Sequence, residues 1–240
     1  MPYFYGFDWT YLVLVLPCIL LSLWASANVN STFRRYSKQR SMRGLTGAQA
    51  AQRVLYANGV RNVRIERISG NLTDHYDPKT NVIRLSDGVY DNTSTAAIGV
   101  ACHEAGHAVQ YAQNYAPIKL RAAIIPVTNF GSKLAMPLIL LGLILSAFSA
   151  YSYQIIYLGI ACFGLSLIFQ LLTLPVEFNA SRRALNAISD GDLLTQEELK
   201  GARKTLRAAA MTYVAATAVS LAQLLRLILL FGGRGRRDRN

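Results

Sequence analysis

The chain has 240 residues, 52% of them apolar and only 16% charged, with a formal net charge of +12. That length holds one domain with a core, or a small domain plus membrane helices, and the apolar excess is gathered into a few long runs, which excludes an ordinary soluble globule. Many of the Lys and Arg flank those runs and no nucleic-acid-binding motif is present, so the basic balance reads as membrane flanks, with the lipid bilayer and not nucleic acid as the expected partner.

The first apolar run, residues 9–27, nearly spans a hydrocarbon core of ~30 Å. Tyr3, Phe4, Tyr5, Phe7 and Trp9 at its start read as an interfacial aromatic belt. The start lacks a basic region, so the run is expected to be a retained anchor and not a signal peptide. "RRYSKQRSMR" follows, with five basic residues in ten and no acid, and the charge rule puts this side in the cytoplasm.

The next stretch is polar and compact. "TGAQAAQRVLYANG" predicts a short helix that starts at Thr46 and stops at Gly59. "VRIERIS" alternates as a strand does. "LTDHYDPKTNVIRLS" predicts two extended pieces joined by a turn at residues 77–81. "DNTSTAAIGVACHEAGHAVQYAQ" opens on cap-type residues and continues as a helix. Cys18, Cys102 and Cys162 suggest no disulfide framework, and Cys102 reads as a small core residue.

Two more apolar runs, "LAMPLILLGLILSAFSA" and "QIIYLGIACFGLSLIFQLLTLP", flank the uncharged Tyr151, Ser152 and Tyr153. They predict a transmembrane hairpin with its tip outside. A fourth run contains Arg226 and ends in the basic "RGRRDRN". Four spans would place that tail outside, against the charge rule; either Arg226 snorkels or the segment lies along the membrane. The expected division is an anchor at 1–28, a polar region with the HEAGH helix at 29–133, a membrane hairpin at 134–175, a second catalytic helix and polar linker at 176–207, and a membrane helix with basic tail at 208–240. The expected fold class is a mainly α membrane protein of about three to four membrane helices, with a small α+β domain whose short sheet precedes the HEAGH helix.

His103 and His107 stand four residues apart, so on a helix both imidazoles reach one ion. Glu104 lies beside the first, too close to join the same tetrahedron but well placed next to a metal-activated water. The bland alternative is a pair of core histidines on an amphipathic helix. A two-histidine site needs a third ligand, and Glu177 in "LPVEFNASRRAL" is the candidate; otherwise it is an interfacial residue paired with Arg182 or Arg183.

HEAGH at 103–107, EFNAS at 177–181 beyond a membrane hairpin, and the earlier LTDHYDP and RLS resemble the integral-membrane zinc metallopeptidases, most closely the YugP-like family. The resemblance covers residues 3 to about 230. It implies a zincin-like domain and a gluzincin-type endopeptidase using one Zn2+ ion, with His103, His107 and Glu177 as ligands and Glu104 as catalytic base. It also implies a multi-pass protein of a bacterial cell membrane. In the more distant HtpX and CAAX-prenyl-protease families an Asp usually stands four residues after the glutamate ligand. Here that position is Ser181, on the same helical face as Glu177 and able to donate a hydrogen bond. Asn179 either binds substrate backbone or caps local structure.

His75 has three competing roles: oxyanion donor, resting-state ligand, or fixer of its own turn. Arg182 or Arg183 is a candidate oxyanion donor or partner of Glu177. The strand "NVIRLS" either holds extended substrate along an exposed edge or is an ordinary edge strand. The expected function is membrane-anchored, zinc-dependent hydrolysis of peptides or membrane proteins on the cytoplasmic side. An open site there calls for restraint, through a homo-oligomer or a regulatory membrane partner. The rivals are a non-catalytic zinc-binding scaffold or regulatory subunit, and a small transporter; the second and third apolar runs offer almost no ionisable groups for the last.

Overall fold

The computed structural model describes residues 8–149 and 151–232. The expected aromatic belt at Tyr3, Phe4, Tyr5 and Phe7 and the basic tail, residues 234–240, lie outside them. The chain is mainly helical with one small sheet, in the order α1 (Leu16–Tyr36), α2 (Gly47–Ala57), β1 (Arg64–Ile68), β2 (His75–Asp77), β3 (Val82–Ser86), α3 (Thr95–Ala112), α4 (Ala116–Leu145), α5 (Ser152–Asp190) and α6 (Gln196–Phe231). A π-helical stretch, Tyr11–Val15, leads into α1. Four helical segments are long and apolar enough to cross a membrane: Tyr11–Tyr36, Ala116–Leu145, Ser152–Asp190 and Gln196–Phe231.

Two compact units emerge. One comprises residues 1–24, 120–173 and 213–240, the other 25–119 and 174–212. Helices α4, α5 and α6 therefore extend well beyond their apolar runs. In particular α5 is a single helix that carries both the third apolar run and Glu177.

The first unit keeps its large apolar side chains outward: Leu140, Ile144, Leu158, Ile168 and Leu229 are exposed, as a lipid-facing surface requires. Its inner contacts are close because small residues permit it. A Cβ on Gly142 would lie 2.7 Å from the Ser152 carbonyl oxygen, so α4 and α5 touch backbone to backbone there. Ile139, Ile156, Ile160, Leu227 and Phe231 form the buried cluster. Arg226 does not stand alone in its apolar run: its Nε donates to the Asp8 carboxylate at 2.9 Å, and its guanidinium lies 5.4 Å from the Tyr11 ring centre.

The second unit is the small α+β body. Thr46 and Gln49 cap α2 reciprocally, each side chain bonding the other's backbone N–H. Leu55, Ile83, Leu85, Ile98, Val109 and Ile188 fill its core. The sheet order is β1-β3-β2, with β1 parallel and β2 antiparallel to β3. This corrects the edge-strand expectation for "NVIRLS". Strand β3 is central and hydrogen-bonded on both sides; the edges are β1 and β2. The physical reason is in its composition. Val82, Ile83 and Leu85 are all fully buried, a nearly continuous apolar run that covers both faces of a strand, where a half-exposed edge strand would alternate. The Asp74 carboxylate holds β2 in place by accepting from the Ser86 backbone N–H at 2.7 Å and from its hydroxyl. The motifs LTDHYDP and RLS are thereby joined by one side chain.

Candidate metal centre

Helix α3 starts at Ser94, whose hydroxyl accepts from the Ala97 backbone N–H. His103 and His107 follow one turn apart on one face, their ring centres 4.7 Å apart. Gly106 lies on the flank of that face. A Cβ there would come within 2.8 Å of the Ala180 carbonyl oxygen, so only glycine lets the backbone of α5 sit directly on α3 at the level of the histidines. That approach delivers Glu177, 4% exposed, to the imidazoles. Its Oε2 lies 3.3 Å from Nε2 of His103 and 3.5 Å from Nε2 of His107.

Those spacings match a metal site. Ligands held at ~2.0–2.1 Å around a tetrahedral ion are separated by ~3.3–3.4 Å along each edge. One ligand atom from each of the three side chains lies within 4.8 Å of the others. The donor set of two imidazoles and one carboxylate suits zinc and leaves a position open.

The other ring nitrogens are engaged. Nδ1 of His103 lies 3.2 Å from the Ser181 hydroxyl, and Nδ1 of His107 lies 3.0 Å from Oε1 of Gln110. Ser181 therefore serves His103, as an acceptor from its N–H when Nε2 holds the metal. Gln110 is fully buried and turns its amide nitrogen to the Val176 carbonyl and to Oδ1 of Asn179, each at 2.9 Å. Arg183 donates from Nε to the same Asn179 oxygen at 2.7 Å and from NH1 to Oε1 of Gln113 at 2.5 Å. Its guanidinium lies 5.9 Å from the ring centre of Tyr115. Arg182 is exposed. Gln110 and Gln113 were not singled out from the sequence. The signal was available: a glutamine one turn after His107, inside an otherwise apolar helix, needs buried partners.

Glu104 is 8% exposed. Burial pushes its carboxyl up to about 7; the His103 imidazole opposes the rise, Glu177 and Asp74 add to it, and the Tyr76 backbone N–H pulls it back. Burial also raises the Asp74 carboxyl, against the two bonds from Ser86. The Tyr76 ring packs 5.6 Å from that of Tyr111 on α3, so β2 runs beside the histidine helix.

His75 is not brought into the cluster. Successive strand residues face opposite ways, so with Tyr76 toward α3, His75 shares the other face of the sheet with Asp77 and its cross-strand partner Arg84. It is exposed, and its Nδ1 lies 2.9 Å from the Thr73 carbonyl oxygen of its own turn. Asp77 closes the turn through the Lys79 backbone N–H and the Thr80 hydroxyl, which with Arg84 hold its carboxyl at about 2. Cys102 is fully buried, and burial raises its thiol beyond use as a nucleophile.

Residues 11–232 match the family described as "Putative neutral zinc metallopeptidase". The chain belongs to this family. A member from Bacillus subtilis (strain 168), named "Putative membrane protease YugP", is 46% identical over 221 residues, covering 92% of this chain and 96% of the relative. No solved structure matches the chain. His103, His107 and Glu177 form a group that could hold a metal ion, supplied by two helices of the same compact unit.

Proposed function

We propose that this protein is a membrane-anchored zinc endopeptidase that hydrolyses peptides or membrane proteins at the cytoplasmic face of a bacterial cell membrane. The observation that carries the reading is the Glu177 oxygen at tetrahedral-edge distance from both imidazole nitrogens, with a buried carboxyl, Glu104, next along the helix. Zinc bound by His103, His107 and Glu177 supplies Lewis acidity for the scissile carbonyl and for the attacking water. Glu104 takes the proton of that water and passes it to the leaving amine, and its raised pKa suits both halves of the transfer. Strand β2, an edge strand beside α3, takes the role first expected of β3: its free side accepts the main chain of an extended substrate. His75 fixes the turn before β2, and Arg183 acts through its bonds to Asn179 and Gln113. The basic stretch at the end of α1 and just beyond it, residues 34–43, supports a cytoplasmic site.

The test is cleavage of an unfolded protein by the purified full chain in mild detergent. Wild type cleaves; chelation abolishes cleavage and added zinc restores it; Glu104→Gln binds zinc but does not cleave. A zinc-loaded wild type that cleaves none of a panel of unfolded and membrane-derived peptides would leave the scaffold reading in its place.

A further inference from the structure

We propose that Gln110 sets the tautomer of His107, its amide held in one orientation by the Val176 carbonyl and by the Arg183–Asn179 pair, all acting as positioning residues. The inference rests on His107 being a zinc ligand, and it concerns how that ligand is turned toward the ion.

The argument follows the polarity of each group. A guanidinium has five donors and no acceptor, and it stays charged in proteins. Arg183 Nε at 2.7 Å therefore forces the facing atom of Asn179 to be its oxygen. That oxygen, 2.9 Å from the Gln110 amide, in turn forces the facing atom of Gln110 to be its NH2. The second hydrogen of this NH2 goes to the Val176 carbonyl at 2.9 Å. The Gln110 oxygen is then left for His107, 3.0 Å from Nδ1, and it can only accept. Nδ1 must carry a proton, so in the neutral, metal-binding imidazole the lone pair is on Nε2, the atom that faces Glu177. The Val176 carbonyl and the Arg183–Asn179 pair thus together hold Gln110 so that Nε2 of His107 is the nitrogen turned to the metal site.

The chain also explains why position 110 is an amide. Carboxylates commonly orient metal-binding histidines. A carboxylate here would accept from His107 equally well, but its second oxygen would face the Val176 carbonyl and the Asn179 oxygen, two acceptors in a fully buried place. Only an amide accepts on one side and donates twice on the other. The contact to Val176 also falls in a turn loosened by Pro175, which lacks the N–H that would bond the carbonyl one turn before it. Gln110 therefore ties α3 to α5 one residue before Glu177 and orients His107 at the same time.

The experiment measures zinc affinity of the full-length, detergent-solubilised protein by competition with a chromophoric chelator, without substrate. Cobalt absorption spectra report ligand geometry, and thermal melts of the metal-free variants confirm folding. Gln110→Leu is expected to bind zinc roughly 10–100-fold more weakly, the usual scale for losing a partner of a ligating histidine. Arg183→Ala loses less, about 3–10-fold, and Arg183→Lys, which keeps a donor-only head, stays within about threefold of wild type. Gln110→Glu is expected to bind weakly, because Asn179 is pinned with its oxygen toward the new carboxylate. Adding Arg183→Ala to Gln110→Glu frees Asn179 to turn its NH2 inward, so the double variant binds zinc at least about threefold more tightly than Gln110→Glu alone.

The sign reversal is the diagnostic result: removing Arg183 weakens the wild type and strengthens the glutamate variant. A merely structural arginine would weaken both. If Arg183→Ala lowers affinity by the same factor in both backgrounds, or if Gln110→Leu binds zinc as the wild type does, the proposal is overturned even where cleavage proceeds. A wild type that binds zinc with this reversal but cleaves nothing leaves the tautomer relay standing and removes the peptidase reading.

Discussion

Two clusters of ionisable side chains among the described residues differ in kind. In the membrane-embedded unit Arg226 meets Asp8, a donor against an acceptor, with Tyr11 beneath the guanidinium. In the α+β unit the Nδ1 atoms of His103 and His107 are turned to Ser181 and Gln110, and both Nε2 atoms converge on a Glu177 oxygen. An Arg–Asp pair is complete in itself and needs no function to explain it. A convergence of two imidazole nitrogens and a carboxylate oxygen is the arrangement that a cation completes.

The largest effect should come from breaking the convergence. Glu177→Gln keeps the shape and removes the charged ligand. Losing an outer partner of a zinc ligand costs 10–100-fold in affinity, so losing the ligand itself should exceed about 100-fold and take cleavage with it. Equilibrium competition for zinc measures the first, peptide turnover the second. Asp8→Asn, at the self-sufficient pair, should leave zinc affinity unchanged. Equal loss of zinc in both variants would mean that the two places are one coupled system and that the contrast is false.

The sequence made one side of this contrast far more legible than the other. Histidines at i and i+4 declare a shared face because the helical period is fixed, and a carboxylate beyond an apolar run declares itself by the cost of leaving it there. The capping residues Thr46 and Ser94 likewise announced their helices. What stayed hidden needed three-dimensional partners. Arg226 looked like a stray charge because Asp8 lies at the other end of the chain. Gln110 acquires its partners only when α5 places Val176 and Asn179 beside it. Strand β3 was misjudged because hairpin spacing reveals its antiparallel neighbour and says nothing of β1 arriving parallel on its other side.

Glu104 sharpens the contrast from the side of pH. Its carboxyl is raised by burial to about 7, from an ordinary value of 4.5. The metal-free fold therefore favours the protonated acid, and stability contributed by this group is full at low pH and declines as pH rises through about 7. The shift corresponds to about 3 kcal/mol at most. In chelator, Glu104→Gln should melt above the wild type at pH 8, and the two should converge near pH 4.5. The Asp8–Arg226 pair predicts the opposite sense for its own substitutions. Asp8→Asn or Arg226→Gln should each destabilise the detergent-solubilised protein by about 1–3 kcal/mol, below the ~3–5 kcal/mol of a fully buried pair because both side chains keep some exposure. The double variant should lose less than the sum.

The smallest effect is expected at His75, the chain's remaining histidine, which belongs to neither place. It is exposed, faces away from α3, and spends Nδ1 on the Thr73 carbonyl of its own turn. A surface side chain of this kind contributes within about 0.5 kcal/mol, so His75→Ala should change turnover by no more than about twofold. An oxyanion donor is a different order of magnitude: removing one costs about 10²–10³ in kcat. The two roles are thus separated by a single kinetic measurement on a zinc-loaded variant. A hundredfold fall in kcat with zinc affinity intact would require β2 to rotate His75 toward the cluster when substrate binds, and the described face of the sheet would then be the resting one. A near-wild-type rate leaves the chemistry with the two imidazoles, Glu177 and Glu104.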